Sequence, residues 1–144
     1  MNSQDIESEF TRGVYSSRDI RLANPKWLLA WPQLKDAFGM ETGLNLEIST
    51  TYRSPKAQND LYQIGRSRPP FGKTVTDCDG KKLLSKHNLF PSKAIDVYVH
   101  SSGKAIWDES LYLPIGPLAK RFGLVWGIKL RNGAIDLPHL EIPD

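Results

Sequence analysis

Alternation of apolar and polar residues marks the strands of this chain. Leu44 to Thr51 (Leu-Asn-Leu-Glu-Ile-Ser-Thr-Thr) alternates and is rich in β-formers, which predicts a strand. Ala94 to Val99 (Ala-Ile-Asp-Val-Tyr-Val) is the clearest case, with Ala94, Asp96 and Tyr98 on one face and Ile95, Val97 and Val99 on the other. Leu124–Trp126 and His139–Ile142 predict two short strands. Elsewhere the apolar period lengthens. Leu28, Trp31, Leu34 and Phe38 recur at helical spacing after Asn24-Pro25, a cap residue followed by a first-turn proline, and Gly43 closes the unit. Pro32 interrupts it and predicts a kink or two short helices. Trp27 and Trp31 are expected to pack in the core or a groove. Ser54-Pro55 caps a second helix through Leu61 to Ile64, stopped by Gly65. A third is expected inside 111–122, starting at Pro117 and ended by Gly123.

Between these elements the pattern lapses. Residues 1–22 show no period and are expected to be an N-terminal extension lying on the surface. Residues 65–86 are rich in Gly, Pro, Lys and Arg and predict a loop, with Lys73–Thr76 as a short strand or hairpin arm. The elements add up to an α+β fold, a small antiparallel sheet with helices packed on one side. At 144 residues the chain suits a single domain, 1–144, with enough length to bury a core without staples.

Composition narrows the partners more than the fold. A net charge of +3 is mildly basic and would favour contact with any anionic polymer without identifying one. The basic residues are scattered and form no recognisable nucleic-acid motif, so no nucleic-acid partner is expected. Cys78 is the only cysteine, which excludes an internal disulfide and a cysteine-based metal site. Its neighbours Asp77 and Asp79 should raise its pKa, so it is expected to be a turn residue and not a nucleophile. The polar, acidic Met1–Glu7 lacks the features of a signal peptide, and no apolar run reaches transmembrane length. The expectation is a monomer made in the cytoplasm, without membrane insertion.

Two segments concentrate the chemistry: Ser85–Asp96, with His87, and Asp136–Glu141, with His139. Imidazole nitrogen and carboxylate oxygen are common ligands of zinc, and two histidines with one carboxylate leave a position for water, as catalytic zinc sites do. An acid such as Asp96 on a largely apolar strand also needs a partner, either a metal or a basic side chain. The His-Glu-x-x-His helix of many metalloproteases is absent.

Ser85-x-His87, Ala94-x-Asp96 and Asp136-x-x-His139 occur in the order that resembles the M15-type peptidoglycan peptidases, in particular the L-alanyl-D-glutamate endopeptidases of phages and bacteria. Tyr52-Arg53-Ser54 with Gln58, Leu61-Tyr62 with Gly65-Arg66, and Gly123-Leu124-x-Trp126-Gly127 extend the match from before Tyr52 to the C-terminus. The resemblance implies one zinc ion held by His87, Asp96 and His139. It implies Asp136 as the base that takes a proton from the attacking water. Arg53 would contact the carbonyl oxygen as negative charge grows there, and Ser85 and Gln58 would line the cleft. Glu141 would support a liganding histidine or face solvent. His100, outside the pattern, is expected at the surface. Two departures stand out. The His87–Asp96 gap is longer than in much of the family and takes the Pro-Ser form of phage relatives. Ile128 replaces a family glycine, which should alter the backbone at that edge.

The function implied is a zinc peptidase acting on bacterial peptidoglycan, cutting L-Ala–D-Glu and released as a phage-type lysis enzyme. The alternatives are a D-Ala-D-Ala carboxypeptidase or dipeptidase with the same site, or a wall-binding module without activity. The basic run Arg66–Lys73 is either a solvated loop or a cleft edge that meets the wall polymer.

Overall fold

A computed structural model of the chain describes residues 10–144. Its centre is strand β2 (Ala94–Ser101), antiparallel to every neighbour. Strand β1 (Asn45–Thr50) runs along one side. On the other side β3 (Lys104–Ile106) pairs with the end of β2, and β5 (His139–Glu141) pairs with its beginning. Strand β4 (Val125–Trp126) lies outside β5, giving the order β1-β2-β5-β4. The β2–β3 turn has positive φ at Ser102 (50°) and Gly103 (77°), the conformation that matches the twist of a tight hairpin.

Helix α1 (Trp27–Thr42) is continuous through Pro32. The expected break does not form: Trp27, Trp31, Leu34 and Phe38 hold the helix to the core. The proline's missing N–H would have bonded the carbonyl of Leu28, a residue exposed enough for water to take its place. Leu28, expected inward, is 58% exposed, and Trp27 takes the buried position. Gly43, at φ 73°, closes the helix as expected. Helix α2 (Pro55–Gln63) starts at the Ser54 cap, whose hydroxyl accepts from the Ala57 N–H. Helix α3 (Ile115–Arg121) begins earlier than Pro117, which sits inside its first turn.

Ile95, Val97 and Val99 of β2, with Leu46 and Leu140, face α1 and α3 across the apolar core. The opposite face of β2 carries Asp96 and Tyr98, as the alternation predicted. The fold is thus a small α+β domain, and its polar sheet face remains for chemistry. No described helix is long and apolar enough to cross a membrane.

The surface extension expected over 1–22 is only partly visible, because residues 1–9 lie outside the described residues. From Tyr15 onward the segment is tied in: Ser54 N–H donates to Tyr15 O, Ser17 N–H to Tyr52 O, and Thr51 N–H to Ser17 O. Leu22 is buried. This part is an added backbone layer against the end of β1, and its carbonyls pair the amides of Thr51 and Ser54. The arm expected at Lys73–Thr76 is not a strand.

Candidate active site

The site forms where β2 begins. Asp96 and His139 are directly opposed in the β2–β5 pairing, so two residues 43 positions apart in sequence become cross-strand neighbours. His87 arrives from the loop before β2. Its backbone carbonyl accepts from Arg53 N–H at 2.9 Å, which ties that loop to the end of β1.

Hydrogen bonds orient both imidazoles. His87 Nδ1–H donates to the Thr51 carbonyl at 2.7 Å, so Nε2 keeps its lone pair. His139 Nε2–H donates to Glu141 Oε1 at 2.8 Å, which leaves Nδ1 facing Asp96. His87 Nε2 lies 3.1 Å and His139 Nδ1 3.4 Å from the same oxygen, Asp96 Oδ1. These approaches are close, but His87 Nε2 and Asp96 Oδ1 are both buried and neither has a hydrogen bond of acceptable geometry. Buried polar atoms without partners are costly and rare. One ligand atom from each of His87, Asp96 and His139 lies within 4.8 Å of the others, a cluster able to hold a metal ion.

The electrostatics agree with a cation-binding centre. Burial works against the Asp96 carboxylate, but the neighbouring His87 and His139 outweigh it and hold its pKa well below the usual range. Burial also opposes charge on His139, yet its contacts with Asp96 and Glu141 push its pKa up to about 9. Glu141 is held down to about 2 by His139, helped by Lys86 Nζ at 2.7 Å.

These residues open onto a cavity of about 270 Å³ that Arg53, Ser85 and Asp136 also line. Asp136 comes from the loop after β4, where its N–H donates to Ile128 O at 2.8 Å. Burial, and then the negative charge of Asp96, raise its pKa. Ile128 itself lines the cavity, and Gly127 beside it adopts φ 71°. Arg53 donates to Asp96 Oδ2 at 3.0 Å and to Gln58 Oε1 at 2.9 Å. It is thus a largely buried partner of the candidate ligand, as well as a cavity wall.

Two expected lining residues have structural duties. Gln58 does not line the cavity; it is 1% exposed and sits beneath it. Its amide holds Arg53 on one side and donates to Thr76 Oγ1 and Cys78 O on the other. Spacing could place Gln58 on α2 beside Arg53, but could not say which way its amide would face. Ser85 does line the cavity, and its hydroxyl accepts from His87 N–H at 3.2 Å. The basic run from Arg66 to Lys73 contributes nothing to the cavity wall; the neighbouring Val75–Cys78 does. Cys78 lines it with a pKa raised first by burial and then by Asp77 and Asp79. His100 is partly buried on β2 and not a free surface residue, with both ring nitrogens lacking hydrogen bonds. Thr51 was missed by sequence reasoning. Its role acts through a main-chain carbonyl, and no side-chain pattern signals that.

Comparison with known proteins follows this geometry. No protein-family profile matches the chain. Over 110 residues it is 31% identical to peptidoglycan L-alanyl-D-glutamate endopeptidase CwlK of Bacillus subtilis, an alignment covering 69% of this chain and 62% of that protein. The chain therefore spans less than two-thirds of this curated relative's length. Its fold is similar to that of the L-Ala D-Glu endopeptidase ChiX of Serratia marcescens, with a TM-score of 0.62 and 18% identity over 90% of this chain and 87% of the other. The class defined here is an α+β domain carrying a His-Asp-His cluster where the central strand of an antiparallel sheet begins. Its resemblance to the M15-type peptidases is borne out by the relative in sequence and by the neighbour in fold.

Proposed function

We propose that this protein is a zinc peptidase that hydrolyses the L-Ala–D-Glu bond in the stem peptides of bacterial peptidoglycan. We place it as a monomeric lysis enzyme of phage type, made in the cytoplasm and released onto the wall. The observation that carries the reading is the convergence of His87 Nε2, Asp96 Oδ1 and His139 Nδ1 on one cavity, two of them buried without a hydrogen-bond partner. The choice of bond is supported by the names of CwlK and ChiX, both L-Ala–D-Glu endopeptidases.

The donor set fits zinc: two imidazole nitrogens and one carboxylate oxygen, with a cavity beside them for water and substrate. Zinc held there would polarise the scissile carbonyl and bring the ionisation of water to near-neutral pH. The remaining work falls to the chain. Thr51 and Glu141 orient the two imidazoles through opposite nitrogens, so His87 Nε2 and His139 Nδ1 are the atoms that would hold the metal beside Asp96. Asp136 takes the proton of the attacking water and delivers it to the departing amine. Its raised pKa makes it a stronger base than an ordinary carboxylate. Arg53, fixed by Gln58 and Asp96, presents a permanent positive charge where the carbonyl oxygen becomes negative.

Digestion of purified sacculi with and without a chelator, followed by zinc add-back, tests this. Mass spectrometry should show new amino termini on D-Glu, lost with chelator and restored by zinc. Release of D-Ala would transfer the site to the carboxypeptidase reading. Binding to sacculi with no peptide released would reduce the chain to a wall-binding module.

A further inference from the structure

Two recesses flank the catalytic cavity, and they differ in chemistry. Beyond Arg53 lies a groove of about 380 Å³ whose charged walls are Arg53, Arg68 and Asp60, and which shares Arg53 and Leu61 with the cavity. Beyond Asp136 lies a smaller recess of about 150 Å³, floored by Trp107, Tyr112, Ile135 and Pro138 and edged by Glu109. Asp136 lines both this recess and the catalytic cavity, so the two adjoin at that side chain.

Trp107 is 65% exposed. Its ring lies nearly parallel to Tyr112, at 7° with centroids 6.4 Å apart, and Tyr98 supports it at 6.4 Å. Among the described residues its indole N–H has no hydrogen-bond acceptor. A large exposed ring flanked by two tyrosines offers a stacking platform. The apolar C–H face of a pyranose suits such a surface, and Glu109 and the indole N–H could bond hydroxyl or acetamido groups at its rim.

We propose that the Trp107–Tyr112 shelf binds the amino sugar to which the stem peptide is attached. This deepens the function proposed above and rests on it. In an L-Ala–D-Glu substrate one alanine separates the scissile bond from the sugar's lactyl group. An extended residue spans about 3.5 Å, which keeps the sugar on the order of 10 Å from the reacting carbonyl. A site contiguous with the cavity is therefore needed. Charge decides which recess takes it. The departing side begins with D-Glu, joined through its γ-carboxyl and so bearing a free α-carboxylate, which suits the groove with two arginines and one aspartate. The sugar side then falls to the aromatic shelf.

The test uses the full chain and two substrates, a glycan-linked stem peptide and the same peptide without sugar. Trp107→Ala should lower kcat/KM on the linked substrate about tenfold more than on the free peptide, mainly through KM, and Trp107→Phe should recover most of the difference. Equal losses on both substrates would overturn the proposal. A separate arm titrates peptide-free glycan chains and follows tryptophan fluorescence. The wild type should bind them, and Trp107→Ala should bind about tenfold more weakly; undiminished binding by the variant would sink the shelf. This arm needs no hydrolysis, so a wild type that binds glycan but cuts neither substrate would overturn the peptidase reading and leave the shelf standing.

Discussion

Glu141 touches neither the cavity nor, in the proposed mechanism, the substrate, so Glu141→Ala isolates how much orientation of His139 matters. In the structure its carboxylate accepts from His139 Nε2–H at 2.8 Å and from Lys86 Nζ at 2.7 Å. The imidazole is 3% exposed, so water cannot readily replace the lost acceptor. A charge-assisted hydrogen bond of this kind contributes about 1.5–3 kcal/mol. Loss of a carboxylate behind a liganding histidine typically costs about 10–100-fold in metal affinity, or roughly 1.4–2.7 kcal/mol. The two routes agree. Zinc competition against a chromogenic chelator should therefore show affinity lowered about 10–100-fold. Glu141→Gln should lose less, because the amide oxygen can still accept from His139 although the amide nitrogen then faces Lys86. Affinity within twofold of wild type in the alanine variant would refute the claim that Glu141 sets the working tautomer. So would a loss as complete as that of His139→Ala, since Glu141 would then be behaving as a ligand.

Three further outcomes follow from the same geometry. Asp136→Ala should keep stoichiometric zinc but lower kcat by about 10²–10⁴, the usual contribution of a general base; metal content by atomic absorption beside a turnover assay separates this from an orienting role, which would lose the metal. Gln58→Leu removes bonds to Arg53, Thr76 and Cys78 beneath the cavity and should destabilise the fold by about 2–3 kcal/mol by chemical denaturation, since it leaves a buried guanidinium short of a partner. For the metal-free protein, His139 is raised to about 9, so its contribution is complete below an unfolded pKa of about 6.5 and is lost as pH rises through about 9. Glu141 is depressed to about 2, so its contribution is complete above about 4.3 and is lost as pH falls through about 2. Melting temperature in chelator should therefore plateau between about pH 4.3 and 6.5 and fall on both sides, and a rise from pH 7 to 9 would contradict the pairing.

Local patterns in the chain were enough to place much of the fold. Strand β2 alternates so cleanly that its Asp96 face and its Val97 face could be assigned without coordinates, because side chains of a strand must point to opposite sides. Gly43 and Ser54 announced a helix end and a helix start through conformations and bonds that reach only a few residues. The short motifs around His87, Asp96, Asp136 and His139 marked the candidate site because their residue types carry the chemistry wherever the backbone takes them.

Other features depended on long-range packing. Pro32 looked like a break, yet the burial of Trp27, Trp31, Leu34 and Phe38 keeps α1 whole. Gln58 read as a lining residue, and only the meeting of Arg53 with the Thr76–Cys78 loop turned its amide inward. The cross-strand register that puts Asp96 opposite His139 joins segments far apart in sequence, as does the Thr51 carbonyl that orients His87. Residue identity and short-range periodicity therefore determined which groups were available and which way each strand faced. Their convergence, tautomers and supporting bonds were decided by tertiary structure, because those depend on distances between segments that no local rule relates.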